Sequence, residues 1–347
     1  MSIFAVKQTL SRGIGRCINL DRIIKQSRHR YVMAYHRVLS PEQARADHVH
    51  AAMWVTPETM EAQIRWFRSI GDIVDYRRIL DFDTPNDRPM FAVTFDDGWR
   101  DSYDFAFPIL EKYRVPALIF LVTAAMESGE LFWPEDVVTK THRAAEAGFG
   151  DKLVAALFEL WPANMPVSKA IQAASIAEDW VEALKLIPET ERKQRIADYY
   201  RCIGVEQTPL QGYLMSWEQV RKMRKAGITF GSHTHTHKIL KGLPETEIEA
   251  ELSQSKEIIA DRLQTQVETF CYPNARYSGK EGALLVRYGY RYAFCIDGRV
   301  LKHPCDRFYV PRFLVSERVA RNHNYFRLHL LEAPMYAGRP HKTKTSN

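Results

Sequence analysis

From about residue 31 onward, short apolar runs alternate with longer stretches whose apolar residues recur every three to four positions. Short runs bounded by turn-forming residues predict strands, and the 3.6-residue recurrence predicts amphipathic helices. The predicted strands are Tyr31–Tyr35, Met90–Phe95, Ala117–Val122, Ile228–Gly231, Glu268–Tyr272, Tyr292–Ile296 and a short Phe308–Val310. Ala117–Val122 is apolar throughout, as expected of a strand buried on both faces of a parallel sheet. Thr56-Pro57-Glu58 supplies an N-cap and a first-turn proline, opening a helix that Gly71 closes. Further helices are predicted from Met90–Phe95 onward to about Tyr113, from Ser216 to Gly227, from Glu245 to Leu263 and from Lys280 to Tyr288. Alternation of this kind places the chain in the α/β class, with parallel strands and crossover helices.

One stretch breaks the rhythm. Residues 134 to about 213 carry helical patterns at Lys152–Leu160, Ile171–Leu186 and Glu191–Tyr200, with no strand run between them. They are expected to form an α-helical insertion in a barrel loop. A lid and a plain packing decoration are equally good accounts of it. The expected organisation is a basic N-terminal segment (1–30), a barrel domain (31–335) carrying the insertion (134–213), and a polar tail (336–347).

Charge changes the picture in one place. The 347 residues include 48 basic and 42 acidic side chains, a formal charge of +6. Residues 1–30 hold seven Lys/Arg and only Asp21 as an acid, which leaves the remainder balanced and gives no support for a nucleic-acid partner. In that segment Ile3, Val6, Leu10, Ile14, Cys17 and Ile18 fall at roughly helical spacing. A basic amphipathic helix on an anionic membrane surface is one reading; a helix packed on the domain, or a frayed tail, is the other. Gly13 and Gly15 weaken the helix. No signal-peptide pattern and no run of roughly 18 apolar residues is present. The five cysteines (Cys17, Cys202, Cys271, Cys295, Cys305) include no CxxC pair and are expected to be reduced and mostly buried. A cytoplasmic location is expected, with peripheral contact at the inner membrane face if residues 1–30 bind lipid.

The chemistry-bearing residues share a position. Asp96-Asp97, His233 with His237, and Tyr272-Pro273-Asn274 each follow a predicted strand. In α/β barrels that rim is where reactive groups from separate strands meet. A catalytic zinc takes three protein ligands and keeps a position for water, and one carboxylate with two imidazoles meets that count. Spacing of four lets His233 and His237 aim at one ion, with His235 pointing elsewhere. If Asp97 ligates, adjacent Asp96 stays free as a general base, and Gly98 permits a sharp turn behind the pair. Singly, Asp-Asp-Gly reads as a turn or cap and the histidine string as a solvated loop. Their common placement favours a mononuclear metal hydrolase.

Thr94-Phe95-Asp96-Asp97-Gly98 resembles the first motif of the polysaccharide deacetylases, the NodB-homology or carbohydrate esterase family 4 enzymes. His233-Thr234-His235-Thr236-His237 looks like their H-[S/T]-x-x-H motif, and Phe270-Cys271-Tyr272-Pro273-Asn274 resembles the third, FAYP-x-G. The resemblance spans about residues 31 to 315 outside the insertion. It implies a distorted (β/α)7 barrel of the NodB-homology type and removal of N-acetyl groups from an amino-sugar-containing poly- or oligosaccharide or glycolipid precursor. It assigns Asp96 as base and Asp97, His233 and His237 as ligands of a divalent metal, with Zn2+ first and Co2+, Ni2+, Mn2+ or Fe2+ as alternatives. Thr234 would order the histidine loop, and a backbone N–H near Pro273 and Asn274 would face the oxyanion. The chain departs from the pattern at Asn274-Ala275 and lacks a late Leu-x-His motif. His36, in Tyr35-His36-Arg37-Val38, resembles the early histidine of a circularly permuted branch related to biofilm-polysaccharide deacetylases, which implies a general acid. Arg312 is a candidate partner for Asp96, and Trp99 and Trp133 are candidates for stacking on sugar rings or for core packing. Rival functions are a deacylase or amidohydrolase of the same fold acting on a small non-sugar C–N bond, a non-haem iron oxygenase, and a sugar-binding module without activity.

Overall fold

The computed structural model describes residues 18–162 and 173–331. Residues 1–17, the 336–347 tail and the expected helix start at residues 171 and 172 lie outside the described residues. Of the basic segment, Leu20–Ser27 is helical, capped by the Asn19 side chain, with Leu20 and Ile24 buried and Ile23 exposed. Among the described residues no helix is long and apolar enough to cross a membrane.

Seven parallel strands form a closed ring: β1 (Arg30–Tyr35), β2 (Met90–Phe95), β3 (Ala117–Leu121), β4 (Thr229–Ser232), β5 (Thr269–Cys271), β6 (Tyr292–Ile296) and β7 (Val310–Leu314). Each pairs with the next in chain order, and β7 returns to β1 at Met33↔Phe313. A short strand, Asp72–Ile73, pairs with the start of β2 (Asp72↔Met90) on the side that β3 occupies at its end (Val93↔Ala117). That shared flank is the distortion of the (β/α)7 barrel.

Period-two alternation divides each strand between the barrel interior and the helical shell. Val32, Met90, Ala92, Leu118, Phe120, Cys271, Phe294 and Val310 pack together inside, joined by Tyr76, Ile79 and Leu301. The odd residues of β1 and β2 pack outward: Phe91 stacks on Phe67 (4.4 Å) and on Tyr31 (5.2 Å). Phe67 belongs to helix Pro57–Ile70, whose Met60, Gln63, Ile64, Phe67 and Ile70 form one buried stripe, and Thr56 caps it by accepting the Thr59 N–H at 3.0 Å. A capping box of Ser216 and Gln219 opens Trp217–Lys225 ahead of β4. Gly231 in β4 is where neighbouring chains come closest: an added Cβ would run into Thr269 and Phe120.

The last strand differs from its predicted bounds. It runs Val310–Leu314 instead of Phe308–Val310. Pro311 and Arg312 interrupt the apolar run, and a buried charge cannot be read from hydropathy. Arg312 is nevertheless 0% exposed at the centre of the strand, because all its visible partners are themselves buried in the barrel.

The described chain divides into two compact units; the second comprises Gln43–Val49 and Gly129–Tyr213. Its helices are Trp133–Ala144, Gly150–Glu159, Ala173–Leu184 and Glu189–Ile203. Val137, Leu153, Leu157, Trp180, Leu184, Tyr199 and Ile203 form its core. Trp133–Ala144 went unrecognised in the sequence, because its inner face carries Asp136 and Lys140, paired at 3.0 Å, as well as apolar residues. Gln43–Val49 joins this unit through Tyr213, whose hydroxyl donates to Asp47 (3.3 Å), and through His48 stacked on His142 (4.3 Å).

Candidate active site

The site lies at the C-terminal ends of β1, β2, β4 and β5, with Arg312 contributed from the middle of β7. Alternation sets who looks inward. Residues 90, 92, 94 and 96 share a side of β2, so Asp96 continues the interior row, as His36 continues that of β1. Asp96 is 1% exposed. Arg312 grips it with two parallel bonds, Nη1 to Oδ1 at 2.7 Å and Nη2 to Oδ2 at 2.8 Å, the strong bidentate geometry of arginine with carboxylate. Arg312 also donates to Thr94 Oγ1 (2.9 Å) and Cys271 Sγ (2.9 Å). Burial pushes the Asp96 carboxyl up, but the charge and bonds of Arg312, then His233 and His36, outweigh it and hold the group below the ordinary carboxylate range.

Asp97 leaves the strand with φ 74°, followed by Gly98 at φ 80°. That left-handed pair turns the chain back on itself; an added Cβ at Gly98 would meet Leu121 and Met126. Asp97 Oδ2 accepts the Trp99 indole N–H at 2.9 Å. Its Oδ1 is buried with no hydrogen-bond partner, yet His233 Nε2 lies 3.4 Å away and His237 Nε2 3.3 Å. Burial raises this carboxyl too, and the imidazoles of His233 and His237 overcome that to hold it well below its usual value.

The two histidines come from a left-handed loop after β4, with Thr234 at φ 68° and His237 at φ 61°. His233 Nδ1 donates to the Cys271 carbonyl at 2.8 Å, which fixes the tautomer and turns the Nε2 lone pair toward Asp97. Burial lowers the His233 pKa, but Asp97 and Asp96 raise it further than burial lowers it. Thr234 is fully buried and its hydroxyl donates to the His233 carbonyl. His235 points away, to Thr123 Oγ1 at 2.9 Å.

Asp97, His233 and His237 form a group able to hold a metal ion. Donors about 2.0–2.1 Å from a tetrahedral ion are about 3.3–3.4 Å apart, which matches the two Oδ1···Nε2 separations and accounts for an oxygen that otherwise lacks a partner. Asp96, His233 and Cys271 form a second such group. It fits an ion less well: Asp96 already has both oxygens on Arg312, and burial holds the Cys271 thiol far above its ordinary pKa, hence neutral.

His36, 7% exposed, places Nε2 3.7 Å from Asp96 Oδ2 and has a buried Nδ1 without a partner. Burial lowers its pKa, partly offset by Asp96 and Asp97, so the ring rests neutral. Pro273 is buried and opens a tight turn in which Asn274 (φ 54°) and Ala275 (φ 50°) are left-handed. The two tryptophans do not offer open faces. Trp99 is 2% exposed with the Arg37 guanidinium 4.3 Å over its ring, so stacking on a sugar is corrected to a bond with Asp97. Trp133 lies in the helical unit, packed on that unit's core with Arg192 4.8 Å over its ring.

Sequence reasoning missed Cys271 and Glu251. Cys271 is expected from the sequence only as a reduced, buried cysteine, although parity along β5 puts it on the interior row. Of the other described cysteines, Cys295 is buried, Cys305 half-buried and Cys202 exposed. Glu251, 4% exposed, accepts the His235 and Thr236 N–H groups at 2.8 Å each and so holds the histidine loop. The available signal was an acid on the buried stripe of Glu245–Leu263, between Ile248, Leu252, Ser255 and Ile259.

Comparison with known proteins bears on the family and the fold. The polysaccharide deacetylase family model matches residues 83–150 and 186–293, just over half of the chain. The curated protein YxkH of Bacillus subtilis (strain 168), named among the polysaccharide deacetylases, is 27% identical over 95 residues; that segment is 26% of this chain and 31% of YxkH. The Streptococcus pyogenes deacetylase PplD, solved with acetate, aligns with a TM-score of 0.55 and 16% identity over 86% of this chain and 97% of its own. IcaB from Ammonifex degensii aligns with a TM-score of 0.54 and 18% identity over the same 86% and 97%. These likenesses in structure support the seven-stranded barrel. The chain belongs to the polysaccharide deacetylase family.

Proposed function

We propose that the chain is a metal-dependent N-deacetylase acting on an amino-sugar-containing poly- or oligosaccharide or glycolipid precursor. The observation that carries this reading is the orphaned Asp97 Oδ1, set 3.3 and 3.4 Å from two imidazole nitrogens. Asp97, His233 and His237 would hold the ion, with zinc the first candidate for this donor set. When bound, the ion supplies a Lewis acid and a water of lowered pKa.

The protein's own groups supply the rest. Asp96, kept ionised by Arg312, takes the proton from the attacking water. His36 faces Asp96 and delivers a proton to the departing amine; because it rests neutral, that proton must reach it during turnover. The Pro273–Ala275 turn would offer the Asn274 backbone N–H toward the developing oxyanion. Thr234 and Glu251 keep the histidine loop in shape.

The test is acetate release from N-acetylated chito-oligosaccharides by protein stripped with a chelator and then reloaded with Zn2+. Stripping should abolish release and one equivalent of zinc should restore it. Release that persists without metal would sink the reading. A parallel panel of small cyclic amides separates the saccharide substrate from a small C–N substrate.

A further inference from the structure

The turn that presents Asp97 also decides which of its oxygens is available. Left-handed Asp97 and Gly98 curl the chain so that the indole of Trp99 returns over residue 97. A buried indole N–H needs an acceptor, and here it takes Asp97 Oδ2 at 2.9 Å. The other oxygen, Oδ1, is the one left without a bond and facing His233 and His237. The indole is itself pinned. Arg37, the residue after His36, lies 4.3 Å over its face and donates from Nε to Asp101 Oδ2 at 2.8 Å. Asp101 Oδ1 in turn accepts the Val38 N–H at 2.7 Å. Asp97, Trp99, Arg37, Val38 and Asp101 are all buried.

We infer that Trp99 is a positioning residue for the metal centre: its indole N–H holds Asp97 Oδ2 and so confines Asp97 to ligation through Oδ1 alone. The inference rests on the metal-site reading above. A carboxylate free to rotate can chelate an ion through both oxygens, consuming a position that water or the substrate carbonyl needs. A charge-assisted N–H···O bond in a buried site opposes that rotation. The Arg37–Asp101 pair holds the ring in place from the end of β1, so the geometry of a ligand on β2 depends on its neighbouring strand.

The test uses the full chain and Trp99→Phe, which keeps an aromatic ring and removes the donor. Trp66→Phe is the matched control: Trp66 also donates its indole N–H to a carboxylate, Asp21 at 2.9 Å, away from the metal ligands. Metal affinity is measured by chelator competition, and the Co2+-loaded proteins are compared by visible absorption, whose intensity falls as coordination number rises. Trp99→Phe should bind metal about 10–100-fold more weakly, with a weaker, shifted Co2+ spectrum. Trp66→Phe should match the unaltered protein in both. Should Trp99→Phe fail to fold, benzothienylalanine at position 99 replaces N–H by sulfur at nearly constant shape and is held to the same two readouts. Unchanged affinity and spectrum in the position-99 variant overturn the inference while leaving the metal site standing. Failure of the unaltered chain to bind metal overturns the site reading, and the inference with it.

Discussion

Asp96 and Asp97 are neighbours in the chain and opposites in their surroundings. The flank around Asp96 carries its own counter-charge: two oxygens meet two arginine nitrogens, and the same nitrogens also bond Thr94 and Cys271. The flank around Asp97 is incomplete: one oxygen is tied to Trp99 and the other faces two imidazoles at a separation too long for a good hydrogen bond. Both carboxylates are buried and both are held ionised, so burial does not distinguish them. What differs is whether the compensating charge is already built into the protein. A satisfied buried carboxylate beside a reacting centre suits a base, and an unsatisfied one facing lone pairs suits a ligand.

The largest expected effect comes from exchanging the two residues' fates. Asp97→Ala should lose stoichiometric metal and nearly all turnover. Asp96→Asn should keep the metal, measured by elemental analysis, and lose turnover by about 10³-fold. Equal metal loss in both variants would erase the distinction.

Arg312→Met sharpens it from the other side. Removing one partner of a buried pair costs about 3–5 kcal/mol, read as a lower unfolding midpoint. The sign of the pH effect follows from the depressed carboxyl. In the intact chain the pair contributes stability above the unfolded carboxylate pKa, and this is lost as pH falls through the folded value. Without Arg312 burial dominates and the Asp96 pKa rises, so the acid limb of the rate profile moves to higher pH. An acid limb that stays in place would show that Arg312 does not set the base.

Glu251→Gln is expected to be the mildest change. It weakens the brace on the Asp97 flank, because an amide cannot accept all of the donors that Glu251 now satisfies. A stability loss of about 1–3 kcal/mol and about tenfold weaker metal binding are expected, with the acid limb unmoved. A shift of that limb would mean the two flanks are not separable.

Much of the fold was visible in the chain. β2, β3 and β6 are apolar runs whose bounds in the structure match the expected ones to within a residue. β7 was not, because Pro311 and Arg312 break its pattern. Within the site, Asp96, Asp97, His233 and His237 stand out as polar residues at strand ends, whereas nothing in the local pattern singles out Cys271 or Glu251. Their importance depends on what they face, and facing is not written in composition.

Local rules therefore carried the chain as far as strands, helices, caps and a rim of polar groups, because backbone periodicity and turn chemistry act over a few residues. Barrel closure decided the rest. Only when β7 returns to β1 does Arg312 come against Asp96, 216 positions away in sequence. Only the curl of the Asp97-Gly98 turn, packed against its neighbours, determines which carboxylate is answered by a cation and which is left facing two imidazoles.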